Sequence, residues 1–148
     1  FSKISGLGGL RIGWCFCPPS IATVLNKVRG PFNISSAAID AGVAALQDED
    51  FVTANRDHNR RERARLTQTL RGLGFEVGDS HGNFVLLKGR GADPVAEAAA
   101  LDAFLKSRGI TVRQMGGYFL PDYLRISIGS EEANNALLAA IGDFTEQA

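Results

Sequence analysis

The segment from Phe51 to Leu73 constrains this chain more than any other stretch. Its middle, TANRDHNRRERAR, is polar on nearly every face, and apolar residues return at helical spacing only at Leu66, Leu70 and Leu73. A helix that is polar all round is either laced with ion pairs or bridges two bodies. The segment is therefore predicted to be one long helix leading from one domain into another. It divides the 148 residues into a first part over 1–50, a bridging helix over 51–74 and a small domain over 75–148.

The flanking segments have different textures. GLRIGWCFC at 9–17 reads as a strand leaving a glycine turn. Pro18–Pro19 and Ser20 then open a helix carrying Ile21, Val24, Leu25 and Val28, which GPF at 30–32 breaks. Asn33 or Ser35 caps the next helix, whose Ile39, Val43 and Leu46 keep the period. After Gly72 and Gly74, FEVGDSHGNFVLLKGR gives two short strands split by a turn. Asp93–Pro94 starts a helix that ends on the glycine after AAALDAFLKSR. ITVRQM is a strand, GGYFLPD a connection and YLRISIG a strand of period two. Ser130 caps a last helix with Glu131 and Glu132 in its first turn, where the helix dipole favours carboxylates. From residue 75 the order is ββαββα, a compact α+β layer.

Sixteen basic and sixteen acidic residues balance, which argues against nucleic acid or a membrane surface as the main partner. The five arginines between 56 and 65 read as a solvated helix face, with Asp57 and Glu62 among them. Cys15 and Cys17 lack zinc-site spacing and, on one strand face, are badly placed for a mutual disulfide. They are expected to be buried, reduced hydrophobes, with no metal site. No apolar run reaches transmembrane length, and the expected compartment is the cytoplasm.

Two cationic constellations stand out. SGLGGLR is not a dinucleotide loop, because Arg11 occupies the third glycine position of G-x-G-x-x-G. It leaves a tight turn with an arginine at its exit, suited to two parallel hydrogen bonds to a phosphate. Lys3 and Ser2 precede that turn. Near the other end, Arg125 lies between apolar Leu124 and Ile126, where a guanidinium either snorkels outward or meets an anion, and Arg113 is in the strand before it. Both arginines are positioned to converge on one anion. His58 and His81 read as solvated, Asn83 as a turn or strand-entry residue, and Tyr118 and Tyr123 as packing around LPD, with Tyr118 also eligible to line a substrate entrance.

Ser2–Lys3, the glycine turn and Arg11 resemble the lysine segment of the fold-type I (class I/II) pyridoxal-phosphate-dependent aminotransferases. GLGGLRIG, GNFVLL and VRQMGGYFLPDYLRISIG are most similar to the histidinol-phosphate branch of that family. The resemblance implies an α/β fold whose final large-domain strand and bridging helices lead into the ββαββα small domain, so that 1–50 is a remnant of the large cofactor domain. It implies that Lys3 bonds the cofactor and acts as catalytic base, that Ser2 and Arg11 hold the cofactor phosphate, and that Arg113 and Arg125 receive the substrate anion. The implied reactants are histidinol phosphate and glutamate/2-oxoglutarate, and the implied assembly is a homodimer. The family's remaining cofactor contacts precede its lysine, so the chain is expected to be a C-terminal portion, folded but inactive alone. Two other readings compete. One is a neighbouring enzyme, an aromatic amino-acid aminotransferase or a threonine-phosphate decarboxylase, which would share Lys3 and Arg11. The other is a free-standing anion-binding α+β module, which would use only Arg113 and Arg125.

Overall fold

The computed structural model describes residues 1–147. The chain forms two compact units, one over Phe1–Asp57 and one from His58 onward.

The first unit is helical. A 3-10 turn over Gly8–Leu10 ends at Arg11, which takes the left-handed conformation at φ 53°. The strand expected over 9–17 is not formed. No ladder partner for it exists among the described residues, and a strand without neighbours cannot satisfy its own backbone groups. Its side chains consequently lie open, with Phe16 96% exposed. The expectation of buried cysteines fails for the same reason. Cys15 is exposed and Cys17 half-buried, both as free thiols. Desolvation, then the adjoining Cys15 thiol, raises the Cys17 pKa above the ordinary thiol value.

Helix α1 spans Pro19–Val28 with proline in its first turn, and α2 spans Ser36–Gln47. Ser35, not Asn33, caps α2: the Ala38 N–H donates to its Oγ at 3.2 Å, while Asn33 accepts from Arg29. Helix α3 spans Glu49–Gly72. It starts before Phe51 because the Asp48 carboxylate accepts from the Phe51 N–H at 3.0 Å, so the capping residue lies further upstream. Residues of α3 up to Asp57 belong to the first unit and those from His58 to the second.

In the second unit β1 (Glu76–Val77), β2 (Phe84–Lys88), α4 (Pro94–Ser107), β3 (Arg113–Gln114), β4 (Tyr123–Ser127) and α5 (Glu131–Gln147) follow the ββαββα order. The four strands make one antiparallel sheet in the order β1-β2-β4-β3. Period-two alternation turns Val85 and Leu87 of β2 and Leu124 and Ile126 of β4 to one face. There they pack with Leu66 and Leu70 of α3, Leu101 and Leu105 of α4, and Leu137 and Ile141 of α5. Asp93 caps α4 through the Ala96 N–H at 3.0 Å. Gly109, at φ 74°, stops it, with the Ile110 N–H reaching back to the Leu105 carbonyl at 2.9 Å.

The polar middle of α3 is not wholly solvated. Glu62 is only 2% exposed and accepts from Arg65 Nη2 at 2.6 Å and from Asn134 Nδ2 of α5 at 2.9 Å. Those hydrogen bonds, led by Arg65, lower its pKa to about 2 against the opposing effect of burial. His58, expected to be solvated, is half-buried, and its Nε2 donates to the Gly129 carbonyl at 2.9 Å. The helical period places His58 and Glu62 one turn apart on the same face. That face meets the β4–α5 turn, and this is why both are drawn inward.

Candidate functional site

The first constellation is a loop that doubles back on itself. The Gly6 N–H donates to the Lys3 carbonyl and the Leu7 N–H to the Phe1 carbonyl, each at 3.0 Å. This fold brings Gly8 onto Ser2: a Cβ at Gly8 would stand 3.1 Å from the Ser2 carbonyl oxygen. The Arg11 guanidinium then closes on the same residue, with Nη1 donating to the Gly8 carbonyl at 2.7 Å. The seven residues between Lys3 and Arg11 are thus folded through two successive turns, and the arginine is tied to the residue that packs against Ser2. The tether is a neutral carbonyl, so the guanidinium keeps its charge and its other N–H donors. The side chains of Ser2 and Lys3 are exposed and make no hydrogen bond or ion pair among the described residues. A reachable amine, a hydroxyl and a tethered guanidinium suit a cofactor that carries both a carbonyl and a phosphate. An open hollow of about 410 Å³ in this unit, lined by Phe1, Ile4, Trp14 and Leu46 among others, includes neither Lys3 nor Arg11.

The second constellation is built by sheet register. Arg113 of β3 is directly opposite Arg125 of β4, and Arg125 is directly opposite Leu86 of β2. Opposed residues of an antiparallel pair share a face, so both guanidinium groups rise from the side of the sheet away from the core. Like charges in that relation oppose folding. Arg113 is exposed and has no ion-pair or hydrogen-bonding partner among the described residues. Arg125 is half-buried, with its Nε enclosed and without a hydrogen-bond acceptor among the described residues. Its guanidinium carbon stands 5.2 Å from the centre of the Phe84 ring.

Nothing in the sequence alone marks Phe84 as a neighbour of Arg125. It is two residues from Leu86 on the same face and so lies diagonally under Arg125, a relation visible only once the β2–β4 register is known. Asn83 enters β2, its carbonyl accepting from the Ile128 N–H at 2.8 Å. Tyr118, expected to pack the connection, is 60% exposed because it rides a 3-10 turn over Gly116–Tyr118. Tyr123 opens β4 beneath the Lys88 ammonium. His81 is exposed. Among the described residues, no group of three or more His, Cys, Asp or Glu is placed to hold a metal, and no helix is long and apolar enough to cross a membrane.

Residues 1–141 match the family model for aminotransferase class I and II. The chain is 48% identical over 144 residues to the histidinol-phosphate aminotransferase of Rhodospirillum centenum, covering 97% of this chain and 39% of that protein. The Hyphomonas neptunium histidinol-phosphate aminotransferase is 45% identical, with 98% and 39% covered. The crystal structure of histidinol-phosphate aminotransferase from Sinorhizobium meliloti in complex with pyridoxal-5'-phosphate superposes with a TM-score of 0.89 at 29% identity. It covers 99% of this chain and 40% of the other. The chain therefore spans about two fifths of the length of the relatives it matches.

Proposed function

The chain belongs to the class I and II aminotransferase family, and from that premise we propose that it supplies the lysine and the substrate-orienting arginines of a pyridoxal-phosphate-dependent aminotransferase acting on histidinol phosphate, with 2-oxoglutarate and glutamate as the second pair. The observation that carries this reading is the Lys3–Arg11 loop, where an unpartnered amine and a carbonyl-tethered guanidinium stand on one stretch that doubles back on itself. The cofactor, when bound, serves as the electron sink that makes a substrate C–H bond acidic. Every other contribution belongs to the chain. Lys3 Nζ would hold the cofactor and would carry the proton taken from the substrate carbon and later returned. Arg11, fixed on the Gly8 carbonyl, would give its remaining N–H groups to the cofactor phosphate, which the Ser2 hydroxyl would also hold. Arg113 and Arg125 hold the substrate's anionic end and set its orientation.

Two paired guanidinium groups suit the phosphate of histidinol phosphate, and the carboxylates of glutamate can occupy the same place in the other half-reaction. Similarity to two histidinol-phosphate aminotransferases over nearly the whole chain supports that substrate. We assign the activity to a protein of the relatives' full length, working as a cytoplasmic homodimer. Segments 1–50, 51–74 and 75–148 would contribute to its cofactor domain, its bridging helix and its small domain.

The test is an amino-transfer assay with 2-oxoglutarate, comparing histidinol phosphate with phenylalanine on the full-length protein. Histidinol phosphate is expected to be the preferred donor, with turnover abolished in Lys3→Ala and absent from the 148 residues alone. Equal use of phenylalanine would refute the substrate assignment. Turnover that survives Lys3→Ala would refute the role of the lysine.

A further inference from the structure

A third basic feature lies along α3. Along one side of its second-unit portion, Arg60, Arg63, Thr67 and Arg71 line an open groove of about 450 Å³, whose far wall is the β1–β2 connection with Ser80 and His81. Positions 60, 63, 67 and 71 recur at the spacing of a single helical face. Arg71 and Arg63 are held in different ways. Arg71 is committed: its Nη2 donates to the Val77 carbonyl at 2.6 Å and to Asp79 Oδ1 at 2.8 Å. That pairing keeps the Asp79 carboxyl below its ordinary pKa range, so the charge of Arg71 is largely answered. Arg63 is held by a neutral group, with Nη1 donating to the Gly82 carbonyl at 2.8 Å. Among the described residues Arg63 has no carboxylate partner.

This arrangement fixes the Arg63 guanidinium without neutralising it. Its other N–H donors face a groove that also holds the Thr67 hydroxyl and the His81 ring, and neither of these makes a hydrogen bond among the described residues. A pinned, uncompensated guanidinium loses little freedom when it binds an anion, and its planar donor set fits a phosphate. The one carboxylate in the groove, Asp79, is occupied by Arg71 and points largely to solvent. The chain as a whole carries no net charge, so the groove is a local excess and not part of a general basic surface.

We propose that the α3 groove centred on Arg63 binds a small phosphate-bearing anion, at a site separate from Arg113 and Arg125. The probe is inorganic pyrophosphate, titrated into the uniformly ¹⁵N-labelled protein at low ionic strength. Saturable shifts are expected in the amides of residues 60–71 and 79–82. They are expected to persist in the Arg113→Gln/Arg125→Gln double variant, which removes the other anion site on the sheet. Arg63→Gln, which keeps an N–H donor for Gly82, is expected to weaken binding at least about tenfold. Arg29→Gln, at the end of α1, is expected to leave it unchanged. Because Arg63 also tethers the loop, His81→Ala is measured beside it, with binding expected to weaken about threefold. Absence of shifts at millimolar pyrophosphate overturns the proposal. So do shifts confined to residues 3–11 or 113–125, or affinity unchanged in both Arg63→Gln and His81→Ala.

Discussion

Replacing Arg125 with methionine should make the protein more stable and the enzyme worse. The enclosed Arg125 Nε has no acceptor among the described residues, and an unmet donor of this kind costs about 1–3 kcal/mol. Arg113 directly across the β3–β4 pair adds about 0.2–1 kcal/mol of like-charge repulsion. Against these stands the contact with the Phe84 ring, worth about 0.5–1 kcal/mol. Methionine keeps an unbranched stem over that ring while removing both penalties, so Arg125→Met should gain about 1 kcal/mol. For a unit of this size that corresponds to a rise in Tm of about 4–8 °C. The assay is thermal and urea unfolding followed by circular dichroism in phosphate-free buffer, since a bound anion would stabilise the unsubstituted protein alone. In the full-length protein, kcat/KM for histidinol phosphate should fall at least about tenfold. A variant less stable than the parent by about 1 kcal/mol or more would show that Arg125 serves the fold, and the argument that it awaits an anion would fail.

Three further outcomes follow from the packing and the electrostatics. The Glu62 carboxyl is lowered from 4.5 to about 2 in the folded state, so the stability it contributes is full above about pH 4.5 and is lost as pH falls through about 2. Urea midpoints measured across that window should fall less steeply in Glu62→Gln than in the parent, and an equally steep profile would contradict the Arg65–Glu62–Asn134 arrangement. A Cβ at Gly89 would collide with the Pro94 carbonyl at the start of α4, so Gly89→Ala should lose about 1–3 kcal/mol by urea unfolding. An unchanged midpoint would mean that α4 does not lie this close. Asp93→Ala removes the cap on α4 and should cost about 1 kcal/mol by the same measurement, with Asp93→Asn recovering most of it.

The second unit was readable from its sequence because its signals are local. Alternation in FVLLK and YLRIS, the Asp93–Pro94 start and the glycine after Arg108 each specify an element without reference to distant residues. The first unit was read less well. GLRIGWCFC has strand composition, but a strand exists only with a partner, and none lies among the described residues. The exposure of Cys15 and the half-burial of Cys17 have the same cause. For the candidate site, residue types and spacing singled out Lys3, Arg11, Arg113 and Arg125, yet not the contacts that prepare them. The Gly8 carbonyl under Arg11 depends on how a loop folds back, and the Phe84 ring under Arg125 depends on the register of two strands. His58 and Glu62 were misjudged for a related reason. A polar residue on a polar helix looks solvated until the element opposite it is known, here the turn at Gly129 and the Asn134 amide.

The central claim is that Lys3 is the residue that bonds the cofactor, and it can be read from a single modified peptide. The chain has four lysines. Lys88 is engaged by Glu76 and Lys106 by Asp102, whereas the side chains of Lys3 and Lys27 have no partner among the described residues, and of these two only Lys3 lies on the loop that Arg11 closes. The full-length protein is incubated with one equivalent of pyridoxal phosphate, reduced with borohydride, digested and analysed by mass spectrometry. The account predicts the pyridoxyl-phosphate mass on the peptide containing Lys3, at near-unit occupancy, with the other lysines essentially unlabelled. A label distributed over the lysines, or concentrated on any other one, would contradict it.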